Sequence, residues 1–191
     1  MSRSLYLMRA RLGTVKRILG AHGGRGERDV LPFGRYESGA RMASDDTWSM
    51  ATGEDNGKPL IFRIRSKAPS FARKESFPHL LAVCWQYESP NEQGMPSQDV
   101  VERMSELEDL LTPAFEGAKQ AFLTVIVTGN GVREWQWYAR SPEKTMELVN
   151  QTLGEHEPFP VQFSFQDDPE WQGYSRFLEI TGGEAYPTAE A

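Results

Sequence analysis

The order of elements along this chain predicts an α+β fold. Three observations carry that reading. Apolar strands and amphipathic helices alternate as strand, helix, strand, strand, helix, strand. Each helix carries one apolar stripe, so each has a single face to bury. Asn130-Gly131 joins the two middle strands through a tight turn. Two interleaved strand–helix–strand units with right-handed crossovers make a ferredoxin-like antiparallel sheet with two helices on one face. An additional N-terminal hairpin extends that sheet at an edge.

The elements follow in order. Trp48 and Met50 open a short strand, and Gly53-Glu54-Asp55-Asn56-Gly57 supplies the turn. Leu60, Phe62 and Ile64 then alternate with Ile61, Arg63 and Arg65, the period of a strand with one partly polar face. His79 to Tyr87 is apolar on both faces, as a central strand is. Ser97 caps the first long helix, whose stripe is Val100, Met104, Leu107 and Leu111. Thr112-Pro113 reads as a fresh cap, predicting a kink or two abutting helices. Glu102, Glu106, Glu108, Asp109 and Glu116 fall on its solvated side.

Ala121 to Val127 is the strongest strand in the chain, apolar enough for burial on both sides. Its return partner, Val132 to Arg140, puts Arg133, Trp135, Trp137 and Ala139 on one face. Val132, Glu134, Gln136 and Tyr138 take the other. Ser141-Pro142-Glu143 starts the second helix, with the stripe Met146, Val149 and Leu153. The last strand sets Phe159, Val161, Phe163 and Phe165 opposite Gln162, Ser164 and Gln166. Asp168-Pro169-Glu170 then begins a short helix with Trp171, Tyr174 and Phe177 along one side, expected to fold back on the sheet near Trp135 or Trp137.

Charge divides the chain unevenly. Residues 1–41 hold nine basic and three acidic side chains, and the remaining residues hold 12 basic and 24 acidic. The first segment reads as a basic arm, or as an upstream extension before a start at Met42. Its apolar residues Leu5, Met8, Leu12, Val15 and Leu19 fall close to helical spacing. Residues 42–180 are expected to form one domain and residues 181–191 a disordered tail. No apolar run approaches the roughly 20 residues needed to span a bilayer. No secretory signal core is present, and the single Cys84 rules out an internal disulfide. The expected location is the cytoplasm, with no membrane partner.

Two patches resemble a known family. Gly129-Asn130-Gly131-Val132-Arg133-Glu134-Trp135-Gln136-Trp137-Tyr138 is one, and Asp167-Asp168-Pro169-Glu170-Trp171-Gln172-Gly173-Tyr174 is the other. Together they are similar to the family called domain of unknown function 695, over roughly Thr47 to Leu178. The resemblance implies a bacterial soluble domain with no assigned activity and no established catalytic residues. The layout also resembles the acidic, ferredoxin-like regulator of ribonuclease activity B family, at the level of fold and charge alone.

Chemical motifs are sparse. The glycines from Gly20 to Gly26 are not followed by Gly-Lys-Ser/Thr, so they form no phosphate loop. His22, His79 and His156 are too scattered to pair as metal ligands on a helix. Cys84 sits in a central strand and reads as a buried, inert thiol. Asp167 and Asp168, with Glu170, are the weak candidates for a cation site, although adjacent side chains at a strand end diverge. Asp168 reads more simply as a helix N-cap.

The candidate binding residues are Arg133, Trp135, Trp137, Trp171 and Tyr174. The tryptophan face is read as core packing, as a surface for a protein or small ligand, or as a base-stacking platform. The acidic domain opposes the last of these, because it repels phosphates. The functional expectation is a non-catalytic binding or regulatory module with no cofactor. The alternatives are a nucleic-acid-associated or ribonuclease-regulating protein and a metal-dependent hydrolase at Asp167 and Asp168.

Overall fold

A computed structural model describes residues 13–18 and 47–181 of the chain. The remainder of the expected basic arm and most of the expected C-terminal tail lie outside the described residues. The elements are β1 (Gly13–Ile18), β2 (Trp48–Asp55), β3 (Lys58–Arg65), β4 (His79–Gln86), α1 (Gln98–Gly117), β5 (Ala121–Gly129), β6 (Val132–Ala139), α2 (Pro142–Leu153), β7 (Val161–Asp167) and α3 (Gln172–Thr181). A 3-10 turn at Lys74–Ser76 precedes β4.

The fold is α+β, with an antiparallel sheet in the order β1-β2-β3-β5-β6-β4-β7. Within the described residues β2 to β7 form its body, and β1 adds an edge. That edge corrects the helical spacing read in the arm: Gly13–Ile18 is extended and pairs with β2. Val15 and Leu19 fit a helical stripe on spacing alone, but the open side of β2 offers backbone partners that spacing does not register.

The N-terminal hairpin widens the sheet as expected, β2 pairing with β3 and β3 with β5. Its turn is tighter than the sequence suggests. β2 runs through Asp55, leaving only Asn56 and Gly57, both at positive φ (51° and 77°), as a two-residue turn. The β5–β6 turn repeats the device with Asn130 at 49° and Gly131 at 77°.

α1 runs unbroken through Pro113, which corrects the reading of two abutting helices there. Pro113 removes a single hydrogen bond and is itself exposed, so water can satisfy the carbonyl it leaves. The line Met104, Leu107, Leu111 and Phe115 is fully buried on both sides of the proline, so the apolar stripe carries through it. The stripe also starts one residue later than expected: Val101 is buried, whereas Val100 is half-buried. Among the described residues no helix is long and apolar enough to cross a membrane.

The core has two halves. Leu81, Val83 and Trp85 of β4, Leu123 of β5, and Trp135 and Trp137 of β6 cluster with Met104, Leu107 and Leu111 of α1 and Val149 of α2. On the opposite face Leu60, Phe62 and Ile64 of β3, Phe122 of β5 and Tyr138 of β6 cluster with Phe77, Trp171 and Tyr174. Strand β5 serves both faces by alternation, Phe122, Val125 and Val127 on one and Ala121, Leu123 and Ile126 on the other, with one irregularity between Leu123 and Val125. The extra residue, Thr124, is buried and donates its hydroxyl to the Gln136 carbonyl at 2.9 Å.

Candidate functional site

The candidate residues separate onto the two faces of the sheet. Arg133, Trp135 and Trp137 lie on the face covered by α1, as alternation along β6 requires. Trp135 and Trp137 are wholly buried there. The Trp135 indole N–H donates to Glu108 Oε2 at 3.0 Å, whereas the Trp137 indole nitrogen has no partner among the described residues. Arg133 is half-buried, donates from Nε to Thr128 Oγ1 at 2.8 Å, and lies 5.6 Å from the Trp135 ring centre.

Two carboxylates on this face overturn their assignment to the solvated side of the helix. Glu108 accepts from Arg63 as well as from Trp135. Glu116 holds the buried Arg65 through two hydrogen bonds, 2.7 and 3.1 Å, and also accepts from the Leu123 backbone N–H at 3.2 Å. Arg65 donates further to the Leu123 carbonyl at 3.1 Å. Each glutamate flanks the apolar stripe by one position, next to Leu107 or Phe115. That is where a long side chain reaches over the helix edge to the sheet. Asp109, by contrast, remains exposed, and partial burial beside the Glu108 carboxylate pushes its pKa up against the opposing pull of Arg63. Trp48 packs against the two arginines, its ring centre 4.9 Å from the Arg63 guanidinium and 5.5 Å from that of Arg65.

Trp171 and Tyr174 lie on the other face and contact Tyr138 instead of Trp135 or Trp137. The parity of β6 is the reason: Tyr138 points away from the tryptophans. The ring centres of Tyr138 and Trp171 are 5.3 Å apart, and Trp171 also meets Phe122 edge-on at 5.2 Å. Polar ends are satisfied throughout this group. Trp171 Nε1 donates to the Phe77 carbonyl at 2.8 Å, and the Tyr174 hydroxyl donates to the Arg65 carbonyl at 2.6 Å.

Asp168 organises the group. Its Oδ2 accepts the Tyr138 hydroxyl at 2.5 Å and the Gly173 N–H at 2.9 Å, while Oδ1 accepts the Gln172 N–H at 2.8 Å. It therefore caps the first turn of α3 from four residues away, across a turn that holds Trp171 at a φ of 54°. Burial, followed by the Asp168 hydrogen bond and charge, pushes the Tyr138 pKa well above its ordinary value. Asp167 points elsewhere, mostly exposed, and meets His79 Nδ1 at 2.8 Å. The two neighbouring carboxylates thus diverge, and no three His, Cys, Asp or Glu among the described residues are grouped to hold a metal.

A third cluster escaped the sequence reading. Glu134 is only 2% exposed, with Gln136 Nε2 donating to its Oε1 at 2.7 Å and Cys84 Sγ to its Oε2 at 3.3 Å. Burial is the main cause that raises the Glu134 pKa, against the lowering effect of those two hydrogen bonds. The Gln136 side-chain oxygen has no partner among the described residues. A thiol facing a carboxyl group is not poised to become a thiolate. The available signal was the shared parity of Glu134, Gln136 and Tyr138.

The glycine-rich tip of the β5–β6 hairpin is structural. A Cβ on Gly129, at a φ of 149°, would stand 2.3 Å from the Pro59 carbonyl oxygen. Asn130 Nδ2 donates to Asp55 Oδ2 at 2.8 Å, and the Gly131 N–H donates to the Gly94 carbonyl at 2.9 Å. The tip therefore ties both neighbouring loops together. The model of the family of unknown function DUF695 matches residues 46–179, a span that holds this tip, the Asp168 cap and both faces. No curated protein and no solved structure matches the chain.

Proposed function

The chain belongs to the DUF695 family, and from that premise we propose that it is a non-catalytic binding module of the cytoplasm. Its core is a ferredoxin-like unit made of β4, α1, β5, β6, α2 and β7, with α1 and α2 on one face. The module holds a protein partner on the strip of β2 and β3 beside α1. One observation carries this reading: Met50, at 42% exposed, is the one large exposed apolar side chain among the described residues, and it lies across from the arginine packed on Trp48.

Met50 pairs across the strands with Arg63, and Thr52 pairs with Ile61. The strip therefore combines apolar contact with a fixed guanidinium, a composition suited to a protein surface. The polar groups that a catalytic reading would use have structural work. Asp168 caps a helix, Glu108 and Glu116 hold arginines, and Glu134 is buried. Affinity capture with the full chain tests the proposal. Wild type and a control altered at the exposed Glu147 (Glu147→Lys) retain a partner that Met50→Asp loses. Equal capture by all three, or by none, sinks it.

A further inference from the structure

The two edges of the sheet are built differently. β1 lines one edge, whereas β7 ends the other, with no described strand on its outer side. An edge strand presents unpaired N–H and C=O groups, and soluble proteins usually blunt it with lysine, proline, a bulge or an inward charge. β7 has none of these. Val161–Asp167 contains no basic residue, proline or glycine, its one charge is the terminal Asp167, and its register with β4 runs unbroken.

Its sequence is a palindrome. Gln162-Phe163-Ser164-Phe165-Gln166 reads the same in both directions about Ser164. Antiparallel pairing with a second copy about a two-fold axis at Ser164 therefore sets Phe163 against Phe165 and Gln162 against Gln166. Val161 meets Asp167, so no like charges face each other. The apolar cluster under the helices is also least covered here: of the ten half-buried apolar side chains at its margin, seven lie between Met146 and Phe165. Both phenylalanines of the strand are among them, and both glutamines are exposed.

We propose that the protein forms a two-fold dimer in which the β7 strands of two copies pair antiparallel about Ser164, joining the two sheets into one. The pairing satisfies the edge backbone groups, and it extends the phenylalanine contacts of each copy across the axis. It does not depend on the binding role assigned to the Met50 strip.

Equilibrium sedimentation of the full chain across micromolar concentrations tests this, with a dimer of twice 21.6 kDa expected. Gln162→Glu combined with Gln166→Glu leaves the core untouched but opposes two carboxylates at two symmetric positions. The dissociation constant then rises roughly five- to tenfold. Gln162→Lys combined with Gln166→Glu opposes unlike charges instead, returning the constant to the wild-type value or below and making it salt-sensitive. A monomer at every concentration overturns the proposal. So does a doubly acidic variant that dimerises as tightly as wild type, or equal weakening by both pairs of substitutions.

Discussion

The two faces of the sheet match the polar ends of their aromatic side chains unequally. Under α1, where both tryptophans are buried, the Trp135 indole N–H reaches Glu108, whereas Trp137 packs edge-on against Phe115 and its indole nitrogen has no partner among the described residues. Across the sheet, Tyr138, Trp171 and Tyr174 are equally buried, yet each polar end reaches a carbonyl or the Asp168 carboxylate. Both faces combine volume with hydrogen bonds, but the first leaves one buried indole N–H unmatched among the described residues, whereas the second matches every aromatic polar end. Burial of a polar group without a partner costs stability, so identical burial does not mean identical sensitivity to substitution.

The largest expected effect tests the second face. Trp171→Ala removes a wholly buried ring and orphans the Phe77 carbonyl, so the protein should lose roughly 3–5 kcal/mol of stability. The matched changes Trp171→Phe and Trp137→Phe sharpen the contrast. Each removes similar volume, but only the first deletes a hydrogen bond, and it should cost about 1 kcal/mol more. Denaturant melts measure all three. Equal losses for the two phenylalanine variants would erase the distinction between the faces.

Much of this architecture was legible in the sequence, because periodicity encodes it directly. The six strands from Trp48 to Asp167 and both long helices follow from apolar alternation and stripes. What escaped depends on side chains reaching between elements. Glu108 and Glu116 read as solvated from helix phase alone, since nothing in α1 reveals the arginines of β3 opposite. Trp171 was expected against the sheet and packs there, but against Tyr138, because which face α3 covers is a tertiary choice. The unbroken passage of α1 through Pro113 shows tertiary burial overriding a local signal. The two family patches prove to meet: Tyr138 from one hydrogen-bonds Asp168 from the other.

Glu134 gives a smaller effect with a defined sign. Its pKa is raised in the folded protein because burial disfavours the carboxylate. The folded state therefore binds the proton more tightly than the unfolded chain does. Stability from this group is full below the ordinary glutamate value of 4.5 and declines as pH rises through the raised folded value. Glu134→Gln removes the ionisation, and its melting temperature should fall less than that of wild type between pH 5 and pH 8. Parallel pH profiles for the two proteins would show that Glu134 does not carry this dependence.

The smallest expected effect is none at all, and it bears on whether the α1 face ever opens. Stacking a base on Trp135 or Trp137 would require lifting α1, since both rings are fully covered and Glu108 holds one of them by its indole N–H. Opening would expose Met104, Leu107 and Leu111, each worth about 1.5–3 kcal/mol of burial. Phosphates would also meet a segment, residues 42–191, with twelve more acidic than basic side chains, so counterion release cannot offset that loss. The chain beginning at Met42 keeps β2 to β7 and α1 to α3, and a cooperative melt should first establish that it folds. It should then leave the fluorescence anisotropy of a labelled single-stranded RNA unchanged at physiological salt. Micromolar binding that weakens steeply with added salt would mean that α1 yields, and that the tryptophan face is a stacking platform and not a closed core.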